Sequence, residues 1–205
     1  DWRERETGDI QSLREGCLPV VTTRWLDREI EWEQEAFAAL WHESLADEPS
    51  KRGDEDTILF VRLVARNTTD EPKSAALWFE VNPHEAMAVQ DGRLTAVGQV
   101  VNDVDHKSTV TPGVSVDRYE APRLRALIEP DPGIEVAPAQ SAPPERLCEA
   151  PTAIRCALGL GPRESRAVTF KIPFVTVTDA AEMESLRAVG YDDKLRDAIA
   201  YWRTQ

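Results

Sequence analysis

Two segments of the chain, 57–81 and 153–177, share one pattern: an apolar run, a short polar turn and a second apolar run. In the first segment, apolar runs at 58–65 and 75–81 flank a turn at 66–73. The run at 58–65 is rich in β-branched and aromatic residues, which is typical of a buried strand. Both arms of the second segment alternate with a period of two. Several strands joined by polar turns predict a mostly β chain, an antiparallel β-sandwich rather than a βαβ array.

Three further regions refine this prediction. Asp91-Gly92 lies between short apolar segments and predicts a hairpin turn. The region 112–151 contains eight prolines, so we expect loop there, with a brief strand at 124–128. The region 25–45 is ambiguous, because its Ala, Leu, Gln and Glu content favours helix while Ile30 and Trp32 alternate with glutamates. The alternation and the resemblance described below favour strands.

The C-terminal segment predicts two helices. Asp179 and Glu182 have capping-box spacing and open a helix to about Val189, after which Gly190 suits a left-handed C′ position. Asp192 or Asp193 can cap the second helix. On that helix, three apolar residues fall on one face at i, i+4 and i+7. They are Leu195, Ile199 and Trp202.

This apolar stripe needs a partner surface, and the second helix reaches Gln205 without a cap. The sequence also begins at Asp1 rather than Met. We therefore expect a piece of a longer protein. The predicted organisation is a β-sandwich domain at 1–177 and a helical linker at 178–205 that leads toward a missing domain.

Composition limits the partners. With 24 Lys and Arg against 37 Asp and Glu, the formal charge is −13, which repels phosphate backbones and anionic membrane surfaces. The sequence contains no apolar run of about 18 residues that could span a bilayer. We expect neither a nucleic-acid nor a membrane partner. The compartment stays open, because three cysteines (Cys17, Cys148 and Cys156) fit either a short Cys148–Cys156 bridge or unpaired thiols.

No catalytic motif is present, so we predict no catalytic residue, metal or cofactor. Glycoside hydrolysis needs two facing carboxylates, and the cluster Glu29, Glu31, Glu33 and Glu35 could supply only one of them. Asp103, Asp105 and His106 offer alternate oxygen ligands but lack the glycine and glutamate of an EF-hand. In an acidic protein, both clusters are better explained as solvated surface. The segment Asn67-Thr68-Thr69 matches the N-glycosylation sequon, and we interpret it as part of a turn.

Six tryptophans offer a different chemistry, because indole rings stack on sugar faces as well as filling cores. Alternation along 75–81 places Trp78 on the face opposite Leu77 and Phe79, outside the core. The candidates for a sugar-binding or interdomain platform are Trp25, Trp32, Trp41 and Trp78. Core or interface packing is the alternative for most of them.

Three segments together, 30–37, 60–67 and 172–174 leading into 201–203, resemble the β-sandwich domain that precedes the (α/α)6 barrel of bacterial glycoside hydrolases and related carbohydrate-active enzymes. In that family the sandwich is a scaffold that packs against the barrel through a helical linker, and the catalytic acid and base lie in the barrel. The resemblance implies a noncatalytic accessory domain whose partner is the catalytic domain of the same parent chain. Its interdomain residues would be Leu195, Ile199 and Trp202.

A second hypothesis is an autonomous module that binds glycan or protein through exposed aromatic residues. The stripe of Leu195, Ile199 and Trp202 discriminates between the two. If the stripe projects as an exposed apolar patch, it requires a missing domain, and if it is buried within the chain, the hypothesis of a scaffold with a linker weakens.

Overall fold

The computed structural model describes residues 10–45, 53–80, 85–98, 123–139, 153–177 and 179–205. This part of the chain is mostly β, with two helices at its C-terminal end. The strands are β1 (Ile10–Arg14), β2 (Leu18–Asp27), β3 (Ile30–Leu40), β4 (Thr57–Asn67), β5 (Lys73–Glu80), β6 (Glu85–Gln90), β7 (Arg93–Gly98), β8 (Arg123–Pro130), β9 (Ile134–Ala139), β10 (Ala153–Leu160) and β11 (Ser165–Pro173), and the helices are α1 (Ala180–Ala188) and α2 (Tyr191–Trp202).

The strands form two sheets with antiparallel pairing. The large sheet has eight strands in the order β1-β2-β3-β4-β11-β8-β7-β6, and the small sheet has three in the order β5-β10-β9. The predicted antiparallel sandwich with two C-terminal helices is confirmed. Both strand–turn–strand segments behave in an unexpected way, because β4 and β11 join the large sheet while β5 and β10 join the small one. Each polar turn therefore carries the chain from one sheet to the other.

An inter-sheet core fills the space between the two sheets. Trp32, Leu63 and Phe170 reach it from the large sheet, and Ile154 and Leu158 reach it from the small sheet. Phe79 of β5 stacks on Phe170 of β11 with ring centroids 4.8 Å apart. This burial of large apolar side chains from both sheets explains why strands with one-sided alternation pair as a sandwich.

A second, helix-side core lies on the other face of the large sheet. The sheet supplies Val20, Phe37 and Phe60, and the helices supply Leu186 and Tyr191. Tyr191 meets the rings of Phe37 and Phe60 edge-on at 5.3 and 5.8 Å. The molecule thus has three layers, which are the helices, the large sheet and the small sheet.

The ambiguous region 25–45 is strand, as the alternation predicted. β2 and β3 form a hairpin whose turn residues Arg28 and Glu29 have φ angles of 47° and 74°. The hairpin at Asp91-Gly92 is confirmed as well, since β6 and β7 pair across it and both turn residues have positive φ. The strand expected at 124–128 is confirmed and extends over Arg123–Pro130.

Asn67 joins two of the turns at one end of the sandwich. Its side chain is fully buried, and its Nδ2 donates to Glu71 O at 2.7 Å and to Gly161 O at 2.8 Å. Its Oδ1 accepts from the backbone N and the hydroxyl of Thr69 at 2.9 and 2.8 Å. Every polar position of the amide is used, so the sequon builds the turn and does not present a free Asn.

The helix boundaries differ from prediction in two details. The capping box of α1 is confirmed, because Asp179 Oδ1 accepts from Glu182 N at 2.8 Å. Gly190, however, has a φ of −79° and is the N-cap of α2, so its left-handed C′ assignment is wrong. Asp192 and Asp193 are not caps either. They lie in the first turn of α2, where their negative charges interact favourably with the positive end of the helix dipole.

Several predicted features fall outside the described residues. These are Asp103, Asp105, His106 and Cys148. Cys156 lies in the inter-sheet core as a free thiol, and burial raises its pKa to about 11. Cys17 is free and exposed in the β1–β2 turn.

Candidate functional site

Two of the four candidate tryptophans cannot form a binding platform, because the structure buries them. Trp32 is 4% exposed in the inter-sheet core, and Trp41 is 3% exposed in the helix-side core. Trp41 Nε1 donates to Ser185 Oγ of α1 at 3.2 Å. The two residues pack the fold, which corrects their assignment as platform residues.

Trp25 and Trp78 differ in how much surface they offer. Trp25 is half-buried and stacks on Trp32, with ring centroids 5.9 Å apart and planes within 5°. Trp78 is 43% exposed and lies on the outer face of the small sheet, away from the inter-sheet core. The expectation that Trp78 lies outside the core is therefore confirmed, and Trp78 is the candidate that presents an accessible ring.

The apolar stripe of α2 mostly packs within the chain. Leu195 and Ile199 are half-buried against the helix-side core, while Trp202 is 41% exposed at the last turn of α2. The projecting patch that the sequence suggested is thus reduced to one aromatic side chain. By the criterion set from the sequence, this weakens the hypothesis of a scaffold with a linker, and Trp202 is the stripe residue left for contact with another domain.

Lys171 fixes the C-terminal end of α1 to the large sheet. Its side chain is buried on β11, and its Nζ lies 2.5 Å from Glu129 Oε1 on the neighbouring strand β8. The same ammonium donates to Leu186 O at 3.4 Å and to Arg187 O at 3.1 Å. A cation at these carbonyls satisfies helix-end acceptors and complements the negative end of the helix dipole.

Tyr191 fixes the N-terminal end of α2. Its hydroxyl donates to Glu35 Oε1 at 2.7 Å, and the other oxygen of Glu35 accepts from Arg14 at 3.0 Å. The guanidinium of Arg62 lies 5.1 Å from the centre of the Tyr191 ring. Burial and the Glu35 carboxylate raise the pKa of Tyr191 well above its ordinary value, so the phenol stays protonated and keeps donating.

The middle and the end of α2 are also bonded to strands or loops of the sandwich. Asp197 accepts from Ser44 Oγ at 2.5 Å and from the backbone N of Leu45 at 3.0 Å. Arg203 pairs with Glu15 in the β1–β2 turn. Polar contacts therefore hold α2 at its start, its middle and its end.

Most of the candidate carboxylates of β3 and its turn are engaged in ion pairs, and Glu35 also binds α2 through Tyr191. Three of the four candidates contact a cation: Glu29 with Lys73 at 2.7 Å, Glu33 with Arg24 at 2.5 Å and Glu35 with Arg14 at 3.0 Å. Glu31 has no such partner within the described residues. One unpaired carboxylate does not make the facing pair that glycoside hydrolysis needs.

The described residues contain a cleft of about 360 Å³ between α1 and strands β7 and β8. Its charged lining includes Asp179, which caps α1, and Glu184, which pairs with Arg187. These groups are engaged in the structure of α1 itself, whereas Arg93 of β7, which also lines the cleft, forms no ion pair within the described residues. In the described ranges, no three His, Cys, Asp or Glu side chains are grouped to hold a metal ion.

Sequence reasoning missed the residues that anchor the helices. Lys171 lies in an apolar run and Tyr191 lies between Gly190 and Asp192, and nothing local indicates that their polar atoms find partners in other elements. Arg155 was also missed, although it lies directly opposite Trp78 in the register of β10 and β5. Only the pairing of the strands brings those two side chains together.

Comparison with known proteins adds no assignment. No protein-family model matches the sequence, and neither does any curated protein. No helix in the described part of the chain is long and apolar enough to cross a lipid bilayer.

Proposed function

We propose that this chain is a noncatalytic β-sandwich scaffold domain of a larger carbohydrate-active enzyme of the glycoside hydrolase type, and that it holds a helical catalytic domain. The observation that carries the proposal is Trp202, which stays exposed at the end of a helical layer that is fixed to the sandwich. Lys171 of the large sheet binds the C-terminal end of α1. Contacts of Tyr191, Asp197 and Arg203 hold α2 to the sandwich along the length of the helix. A layer held in this way can transmit a defined orientation to a neighbouring domain.

The paired carboxylates support a noncatalytic role. Glu33 and Glu35 are occupied by Arg24 and Arg14, and Glu35 also accepts from Tyr191. A general acid or base must be within reach of a substrate proton and must have a pKa suited to exchange it. Carboxylates committed to cations and to a phenol in the packing of the fold are poorly suited to that task.

Trp202 supports a contact with a further domain. It is 41% exposed on the last turn of α2, beside Tyr201, with which it forms an edge-on ring pair at 5.0 Å. Interfaces are enriched in exposed aromatic anchors of this kind. The proposed catalytic domain therefore follows α2 and covers Trp202.

Two experiments test the scaffold role. The proposal expects a long all-helical continuation after Gln205 in the gene, and a stop codon soon after Gln205 contradicts it. In the complete gene product, Trp202→Ala should weaken the coupling between the domains, seen as the separation of one calorimetric transition into two. Trp78→Ala is the matched control, because Trp78 is equally exposed at 43% on the opposite side of the molecule.

Activity measurements on the same gene product test the noncatalytic claim. Glu33→Gln and Glu35→Gln should leave kcat within about twofold of the unchanged protein, because neither removes a group from the reaction. A loss of about a thousandfold in either variant, with the fold retained, would place a catalytic carboxylate in this domain.

A second candidate is an autonomous module that binds carbohydrate through exposed aromatic residues. The exposed ring of Trp78 on the outer face of the small sheet favours it. This face lies opposite the helical layer, so the two functions can coexist in one domain.

A further inference from the structure

The outer face of the small sheet is flat, because most of its side chains are small. Alternation sends Ile154, Cys156 and Leu158 of β10 into the inter-sheet core, so the residues between them face outward. One outward row consists of Ala76, Ala157 and Glu135, and the next of Ser74 and Gly159. A Cβ at Gly159 would meet no atom within 4 Å, so the space above this part of the face is open.

Trp78 lies beside this flat area of small side chains. It belongs to the row Trp78, Arg155 and Ala137, which crosses all three strands. Directly opposed residues of an antiparallel pair have Cβ atoms about 5 Å apart, so the indole of Trp78 and the guanidinium of Arg155 share one surface. An exposed indole beside a flat surface of alanine and glycine residues offers an apolar area about the size of a sugar ring.

Arg155 brings to that surface a positive charge that no acidic residue of the described ranges pairs with. Some other arginines are held by acidic partners, as Arg24 is by Glu33 and Arg163 is by Asp70. Arg155 is exposed, and its side chain forms neither an ion pair nor a hydrogen bond with any residue that the structure describes. As far as the described residues show, the guanidinium of Arg155 is therefore left to pair with an anion from outside.

We propose that this face binds an oligosaccharide that carries carboxylates, with one sugar ring stacked on Trp78 and a carboxylate paired with Arg155. The apolar face of a pyranose ring matches an indole, and a guanidinium matches a carboxylate in a two-pronged hydrogen bond. Glu135, one row away on β9, can accept from sugar hydroxyls. The charge of Arg155 selects an acidic sugar over a neutral one.

This inference names the ligand class for the second candidate function, and it does not depend on the scaffold role. Trp78 lies on the small sheet and Trp202 on the helical layer, on opposite sides of the large sheet. Loss of saccharide binding would leave the test of domain coupling at Trp202 unaffected. Failure of one proposal is therefore distinguishable from failure of the other.

Isothermal titration of the chain with tetragalacturonate, and with cellotetraose as the neutral probe, tests the inference. We expect tetragalacturonate to bind more tightly than cellotetraose, and its affinity to fall as salt is raised. Trp78→Ala should weaken binding by about tenfold or more, because it removes the stacking surface. Trp78→Phe should recover part of that loss, and Trp202→Ala, the control of matched exposure, should change nothing.

Substitutions of the two charged residues should have opposite effects on the affinity for tetragalacturonate. Arg155→Gln should weaken tetragalacturonate binding by about fivefold and leave cellotetraose unchanged, because it removes an exposed charge pair. Glu135→Gln should strengthen tetragalacturonate binding by about twofold, because it removes a nearby like charge. The inference is overturned if neither saccharide binds, if cellotetraose binds as tightly as tetragalacturonate, or if Trp78→Ala binds unchanged. Equal urea midpoints for all variants establish that these differences are not caused by unfolding.

Discussion

Asn67 should be among the most costly polar side chains to remove. Asn67→Ala deletes four side-chain hydrogen bonds, three of them within the β4–β5 turn and one, to Gly161 O, that joins this turn to the β10–β11 turn. A typical internal hydrogen bond contributes about 1 kcal/mol net, and a buried group left without a partner costs about 1 to 3 kcal/mol. Thr69 and Gly161 are half-buried, so water can reach some of the abandoned groups. We therefore expect a loss of about 3 to 4 kcal/mol in the free energy of unfolding.

Urea denaturation at neutral pH measures this loss, with Thr68→Val as the neighbouring control. Thr68 Oγ1 makes one exposed hydrogen bond, to Glu29 O at 2.7 Å, so its removal should cost about 1 kcal/mol or less. A loss below about 1 kcal/mol for Asn67→Ala would refute the conclusion that the amide ties the two turns together.

The isosteric change Asn67→Asp separates hydrogen bonding from packing. The new carboxylate still accepts from Thr69 but faces Glu71 O and Gly161 O, to which the amide donated. Burial and these carbonyls raise the folded-state pKa of the new group above its unfolded value of about 3.9. The penalty is therefore absent below the unfolded pKa and grows as the pH rises toward the folded pKa. The deficit relative to the unchanged chain should be larger at pH 7 than at pH 4.

Three other predictions concern separate parts of the fold. Gly159→Ala should raise the free energy of unfolding by about 0.5 to 1 kcal/mol, because a Cβ at this position meets no atom within 4 Å. Gly92→Ala should lower the free energy of unfolding, because Gly92 has a φ of 73° and the new Cβ would lie 2.7 Å from Ile128 O. Urea denaturation of both variants checks the contrast, which fails if the two substitutions act alike. The Gly161 N–H and Arg166 lower the pKa of Glu164, so its ionised carboxylate stabilises the fold above the unfolded pKa of about 4.3, and that contribution is lost as the pH falls through the lower folded pKa. The difference in Tm between the unchanged chain and Glu164→Gln should be steady from pH 6 to 8 and shrink below about pH 4, and a difference that grew on acidification would contradict this. Alkylation at pH 8 followed by mass spectrometry should label Cys17 quickly and Cys156 only on unfolding, since Cys156 is buried and its pKa is raised to about 11; equal labelling rates in the folded chain would contradict the buried position.

Alternation along the chain predicted the strands well because each strand meets water or a core on alternate sides. It placed Ile30 and Trp32 on one face of β3 and the glutamates on the other, as the structure has them. It could not reveal that the glutamate face becomes a second core further along β3. There Phe37, Ala39 and Trp41 pack beneath the helices. That change depends on where α1 and α2 lie, which is a tertiary property.

Strand partners were harder to predict than strands. The sequence predicted strands on both sides of the turns at 66–73 and 161–164 but not their partners, and each turn carries the chain between sheets. Asn67 helps to hold this arrangement, because it hydrogen-bonds to both turns. Its partners lie 4 and 94 residues away, and a local pattern contains no information about the second distance. The Trp78 and Arg155 pair depends on the same long-range register.

The Gly190 assignment was wrong for a related reason. A Gly between two helical segments fits either a left-handed C-terminal position or an N-cap. Tyr191 decides between them, because its ring packs on Phe37 and Phe60 and its hydroxyl binds Glu35. These contacts hold the first turn of α2 at Tyr191, so the helix begins directly after Gly190.

Native-state hydrogen exchange tests most directly whether α1 and α2 are fixed to the sandwich. We expect the amides of Ala198 and Ile199 in α2 to open with a free energy close to that of Phe60 in β4, because Tyr191 and Asp197 bind the helix to the sheet and its adjoining loop. Exchange of both helices through a separate opening several kcal/mol easier than that of β4 would contradict the account. The helices would then be a detachable linker and not part of the scaffold.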